Sequence, residues 1–200
     1  MRQRVCLVTI WLFGVALLSP IGAAGQTASP TPDAPPPELC QALPRSFEEI
    51  ATLLATPEAA MAATRTPGPA PEGPPADPET VAGIEATVRE LVACYNAGEL
   101  LRAYGLYTDA YLQRLLARQG PFPRAVYDGL ATPEPAPIEQ RTAIVSIVEA
   151  RMLGPDKAGA VVTLAYARVP MPKTFFMTFV REGERWLIDD ILGEITFSVP

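Results

Sequence analysis

Reactive side chains are few in this chain, and they fall into three groups. Tyr104, Tyr107 and Tyr111 recur at steps of three and four, which puts them on one helical stripe. On a pocket wall their hydroxyls would orient a ligand; packed in a core they would only reach for the surface, and both readings stand. Asp189 and Asp190 close a strand on opposite faces, so one of them points toward the helices. Asp190, desolvated there by Phe and Tyr neighbours, would have a raised pKa and serve as a base; at a solvated strand end it would be an ordinary carboxylate. Arg168 shares a strand face with Val162, Leu164 and Tyr166, where it would meet an anionic ligand or pair with Asp190. Asp109 reads as a helix N-cap rather than a catalyst, and Trp186 as core.

Other chemistry is excluded by composition. Histidine is absent, which removes Ser-His-Asp and Cys-His nucleophiles and every imidazole-bound metal. No metal and no cofactor are expected. Cys6 sits in the apolar leader, leaving Cys40 and Cys94. In an oxidising compartment such a pair forms one disulfide, worth on the order of 4 kcal/mol in the chain-entropy model. A buried free Cys94 with a stray Cys40 is the alternative.

These groups need elements to hold them. The chain has 200 residues, 48% apolar and 19% charged, enough apolar material for a core. Of its 23 prolines, 13 lie between residues 26 and 78, so the layout is a leader, a Pro-rich stalk and one domain. Met1-Arg2-Gln3-Arg4 is basic, Val5 to Ser19 carries no charge, and small residues follow Pro20. That is the pattern of a signal peptide over 1–25, cleaved near Ala24 or Gly25. An uncleaved N-terminal membrane anchor is the rival, because Val5 to Ala24 reaches the length of a span. The expected location is secreted or on the cell-envelope exterior, with no membrane contact after cleavage. Loss of Arg2 and Arg4 takes the net charge from −6 to −8, which argues against nucleic acid and anionic lipid. Arg outnumbers Lys 14 to 2, the usage of a GC-rich bacterial genome.

Residues 26–38 read as an extended, solvated Pro-rich linker and 57–76 as a second Pro/Ala/Gly linker. Between them, over 39–56, Ser46-Phe47-Glu48-Glu49 is a capping box ahead of Phe47, Ile50, Leu53 and Leu54 at helical spacing. So short a helix is marginal alone and must dock on the main domain, 77–200. That domain opens with Asp77-Pro78 as N-cap and N1. Val81, Ile84, Val88, Leu91, Val92 and Tyr95 form one stripe, and Gly98 ends the helix. Helices over Leu100–Tyr107 and Asp109–Arg118 follow, then a Pro-rich loop with a helical turn near Arg124–Leu130. Strands are predicted over Glu139–Leu153, Ala158–Val169, Lys173–Arg181, Arg185–Leu192 and Ile195–Val199. Helices first and a meander of strands last is α+β. Neither sheet face is cleanly polar, so both are covered. A second copy of the chain in a homodimer would cover the outer one, with the docked Ser46 helix as the competing cover.

Ala93-Cys94-Tyr95-Asn96-Ala97-Gly98-Glu99-Leu100, Leu106-Tyr107-Thr108-Asp109 and Glu182-Gly183-Glu184-Arg185-Trp186-Leu187-Ile188-Asp189-Asp190-Ile191 resemble segments of the NTF2-like (SnoaL-like, ketosteroid-isomerase-like) superfamily. The resemblance covers roughly residues 77 to 199. It implies a cone: a curved antiparallel sheet wrapped around about three N-terminal helices, with a pocket at the open end. It also implies where steroid-isomerase groups would stand. The oxyanion-hole tyrosine position falls on Leu91 and the general-base aspartate position on Leu115, so that chemistry is not expected here.

The superfamily hosts enzymes and binders alike, so fold leaves function open. The leading expectation is an exported, non-catalytic module binding a small apolar ligand or a protein partner in or around the cone. The alternatives are an isomerase, cyclase or hydrolase using a cavity Asp with Tyr donors, and a cell-envelope assembly module.

Overall fold

A computed structural model describes residues 32–55, 70–118 and 121–194. The expected signal peptide 1–25, residues 26–31 and 57–69 of the two linkers, and the expected strand Ile195–Val199 lie outside them. The element order is α1 (Phe47–Leu54), α2 (Pro78–Ala97), α3 (Leu100–Tyr104), α4 (Asp109–Ala117), α5 (Arg124–Leu130), β1 (Ala143–Gly154), β2 (Lys157–Ala165), β3 (Lys173–Glu182) and β4 (Arg185–Glu194). The strands form one antiparallel sheet in the order β1-β2-β3-β4. Helices first and a bent meander last make the α+β, NTF2-like arrangement that the motifs imply.

The spine is α2. Asp77 accepts from the Thr80 N–H at 3.0 Å and Pro78 fills the first helical position. Ile84, Val88, Leu91 and Val92 are buried along one face, each contributing roughly 1.5–3 kcal/mol. The helix stops at Gly98, whose φ of 71° is strained for any side-chain-bearing residue. Trp186 of β4 packs on α2 where Gly83 makes room; a Cβ there would stand 2.4 Å from the indole. Thr87 donates to the Trp186 carbonyl at 2.7 Å, which fixes helix to sheet.

Curvature comes from register shifts in β1 around Val148–Arg151 and in β4 beside Thr178–Phe179. Glu149 takes a φ of 53° at the first of these. Both sheet edges are occupied along part of their length. Asp33 and Ile144 exchange two backbone bonds of 2.8 and 2.7 Å, and Ala76 N–H donates to Ala150 O at 2.9 Å. The described parts of the two Pro-rich stretches are thus pinned to β1 rather than free in solvent. An outer edge tolerates proline because it lacks a ladder N–H to lose. At the far edge, Thr108 N–H donates to Ile188 O and Ile188 N–H to Leu106 O, both at 2.9 Å.

Cys40 and Cys94 are disulfide-bonded. The Ser46 capping box is complete, and Ile50 of α1 is fully buried. The helix docks on α4, not over the sheet: Gln113 Nε2 donates to the Leu53 carbonyl at 2.8 Å. That corrects the docked helix as a cover for the outer sheet face. On that face Arg151 stacks 5.4 Å from the Phe176 ring.

Several expected boundaries shift. The first strand starts at Ala143, because Ile138–Gln140 closes a 3-10 turn after Pro137. The second ends at Ala165, where Val169 N–H turns back to Tyr166 O, so Arg168 is in a turn and not a strand. The Leu100 helix ends at Tyr104, ahead of Gly105. Thr108, not Asp109, caps α4; Asp109 is its first residue and pairs with Arg45 at 2.8 Å. Asp189 and Asp190 lie inside β4, which runs on to Glu194.

Candidate binding pocket

A cavity of about 380 Å³ opens between the C-terminal half of α2 and the concave side of the sheet. Leu91, Val92 and Tyr95 come from α2, at the helical spacing that turns one face inward. Tyr107 comes from the short bridge to β4, and Thr142 from the start of β1. Leu164 of β2, Tyr166 just past its end, Phe175 and Met177 of β3, and Ile191 of β4 complete the wall. Leu164, Phe175, Met177 and Ile191 sit on the concave face because strand residues alternate sides.

Asn96 fixes one edge of this wall. Its side-chain amide donates to Thr142 O at 3.0 Å and accepts from Thr142 N–H at 2.9 Å. The residue is buried, so the end of α2 is clamped to the start of β1. In the Asn-Ala-Gly motif the Asn is therefore structural, and the Gly supplies the helix stop.

The defining polar contact is between two phenols. Tyr95 Oη and Tyr107 Oη are 2.6 Å apart, and the distance allows either to donate. Burial decides the direction. Tyr107 is 2% exposed, whereas Tyr95 keeps 39% of its surface exposed. A buried hydroxyl that does not donate costs more than one with another outlet. Tyr107 therefore donates to Tyr95, which leaves the Tyr95 proton for an acceptor in the cavity that both residues line.

Burial raises the pKa of Tyr95, and the hydrogen bond from Tyr107 opposes that rise. Tyr107 is pushed well above the ordinary phenol value, by burial first and by Tyr95 second. Tyr111 is raised to about 12 by burial, then by Tyr95 and Asp190, with Arg114 and Arg118 opposing. Tyr104 and Tyr166 are raised by burial. At neutral pH these groups are uncharged donors, not bases.

Of the residues singled out in the sequence, Tyr107 alone is in the wall. Tyr111 packs edge-on against it at 5.1 Å between ring centres, and Tyr104 lies 6.2 Å away, so both form a layer behind it. The three are not on one helix: Tyr104 ends α3, Tyr107 pairs with Ile188, and Tyr111 belongs to α4. Asp190 is outside the wall and 3.8 Å from Arg114. Arg168 donates to Gln140 at 2.8 Å and does not pair with Asp190. Asp189 accepts from Lys157 at 2.6 Å and Thr108 at 3.2 Å. Sequence reasoning passed over Tyr95, Tyr166 and Phe175. The available signal was a polar-tipped aromatic closing the Leu91–Val92–Tyr95 stripe.

The wall, among the described residues, holds no carboxylate and no cation. It can surround an apolar body and donate to an acceptor atom; it offers nothing to remove a proton. No group of three or more metal-ligating side chains occurs among the described residues, and no helix among them is long and apolar enough to cross a membrane.

No family model and no curated protein matches the chain. Among solved structures, one described as an Ntf2-like protein involved in plasmid conjugation is similar at 16% identity and a TM-score of 0.41. The likeness covers 68% of this chain and 50% of that one, so the chain spans half of its length. At that level it says nothing of what this chain binds.

Proposed function

We propose that the domain is a non-catalytic binding module that holds a small, uncharged, largely apolar molecule in the cone. Tyr95 would donate to an acceptor atom of that ligand, with Tyr107 behind it as the second donor in a relay. The observation that carries this is the cavity of about 380 Å³ whose apolar wall is interrupted by the Tyr95–Tyr107 pair. Its size is in the range of small-molecule sites, and its composition of apolar walls with few convergent polar groups is theirs too.

The enzyme alternative needs a carboxylate in the cavity. Asp190 is engaged by Arg114 and Asp189 by Lys157, both off the wall, which favours binding over acid–base chemistry. Export is part of the proposal. It is supported by the basic-then-apolar leader pattern and by the Cys40–Cys94 disulfide, which persists in oxidising compartments.

The test is native mass spectrometry of the protein purified from its own host without denaturation. The expected spectrum shows one retained small molecule, lost when Ile191→Trp fills the cavity. An empty wild-type protein that also takes up no prodan, a neutral naphthyl ketone whose emission shifts on leaving water, overturns the reading.

A further inference from the structure

We propose that residues 40–46 form a disulfide-locked latch that holds Tyr107 against Tyr95, so that a dithiol reductant loosens the binding site without unfolding the domain. The inference rests on the binding role proposed for the pocket.

The latch is bonded to the residue next to Tyr95 and to the backbone of Tyr107. Cys94, fully buried on α2, immediately precedes Tyr95 and is bonded to the half-buried Cys40. From there the chain crosses α3. Arg102 Nη1 donates to Ala42 O at 2.8 Å, and Arg45 N–H donates to Leu101 O at 3.0 Å. Leu43 O runs so close to Gly105 that a Cβ there would stand 2.2 Å away. The crossing ends at Arg45, whose Nη2 donates to the Tyr107 carbonyl at 3.0 Å and meets Asp109 at 2.8 Å.

That contact holds the Tyr107 carbonyl, while the Tyr107 N–H donates to the Tyr104 carbonyl at 3.2 Å. Tyr107 lies between α3 and α4, and the bridge to β4 uses the Leu106 carbonyl and the Thr108 N–H. The Tyr107 carbonyl is left for Arg45. Yet Arg45 is not well placed for its own sake: its Nε is buried with no hydrogen-bond partner among the described residues. An orphaned guanidinium N–H is costly, so the side chain is held by what surrounds it. One end of the latch is secured by α1, with Ile50 buried. The other end is secured by the disulfide and by an exposed bond from Gln41 N–H to Glu90 at 3.1 Å.

Reduction is a two-electron exchange. A dithiol attacks one sulfur of Cys40–Cys94, forms a mixed disulfide and releases the other cysteine; its second thiol then attacks the mixed disulfide and releases the first. The reductant leaves as a cyclic disulfide and the protein holds two thiols. The covalent anchor beside Tyr95 is then gone, while α1, α2 and the sheet keep their packing.

The experiment pairs hydrogen exchange with prodan titration on oxidised protein, dithiol-reduced protein and Arg45→Met. Reduction is expected to speed amide exchange over residues 105–109 while β2 and β3 stay protected. Prodan affinity is expected to fall about tenfold on reduction and on Arg45→Met, and reduction of Arg45→Met to add little. Unchanged exchange over 105–109, or loss of protection throughout the sheet, overturns the latch. Fully additive losses overturn it as well. Faster exchange over 105–109 in a protein that never binds prodan upholds the latch and sinks the binding reading instead.

Discussion

The hydroxyls of Tyr95 and Tyr107 meet at 2.6 Å although they come from a helix and from a bridge to the far sheet edge. The pair is asymmetric, with Tyr107 buried and Tyr95 partly exposed. Removing either hydroxyl should therefore not cost the same.

Tyr95→Phe leaves the Tyr107 hydroxyl buried with nothing to donate to, a loss of about 1–3 kcal/mol. Tyr107→Phe removes the buried group and leaves Tyr95 its outlet, a loss of about 0.5–1.5 kcal/mol. The more exposed residue is thus expected to be the more sensitive one. Urea denaturation of both variants checks this, and the reverse order would mean that Tyr95 is the donor.

The raised phenols set an alkaline limit on stability. Unfolded tyrosines ionise near pH ~10. In the fold Tyr111 holds its proton to about 12 and Tyr107 is pushed well above the ordinary value, both chiefly by burial. Their contribution is full below pH ~10 and is lost as pH rises from there through the folded-state values, because the unfolded chain releases protons that the fold retains. Denaturation midpoints are expected to drop over about pH 10–12, with tyrosinate absorbance lagging that of the unfolded chain. Ordinary titration of all the tyrosines in the native state would refute the enclosed hydroxyls.

Asp190→Asn separates a structural carboxylate from a catalytic one. Asp190 and Arg114 are 3.8 Å apart with side chains 21% and 13% exposed, so losing the pair should cost about 1 kcal/mol. Prodan affinity should stay within about twofold, since Asp190 is off the wall. If binding collapsed while the melting temperature held, the carboxylate would belong to the site and the acid–base reading would return.

The fold was legible where one residue type has one local answer. Ser46 with Glu49, Asp77 with Pro78 and Gly98 each name a helix end. The disulfide was legible because, with Cys6 set in the apolar N-terminal run, Cys40 and Cys94 are the two cysteines that remain to pair. The site was less so. Tyr104, Tyr107 and Tyr111 have helical spacing, but the helix breaks at Gly105, where backbone from residue 43 passes, and that crossing is a long-range contact. Arg168 reads as strand until the turn at Val169 removes it. Asp190 reads as a strand end because the continuation of β4 to Glu194 depends on pairing with Phe175.

Asn96→Ala tests whether the Asn-Ala-Gly motif is architecture. It deletes both bonds to Thr142 and leaves that peptide's N–H and C=O without their partner. A loss of about 2 kcal/mol is expected, with faster exchange at the start of β1 and weaker prodan binding as the Thr142 wall moves. Asn96→Asp should keep the acceptor and restore part of the stability. Normal stability in the Ala variant would show that β1 starts there without the clamp.

Ile191→Trp asks whether the cavity is space or packed core. Ile191 is half-buried in the wall, and its side chain borders the cavity of about 380 Å³. In a filled core the larger ring would force its neighbours aside at a cost of about 1–3 kcal/mol. In an open cavity it has room, buries more apolar area, and leaves the melting temperature unchanged or higher. The expected result is retained stability with prodan uptake abolished. A destabilised variant that still binds prodan would place the probe elsewhere and remove the cavity from the argument.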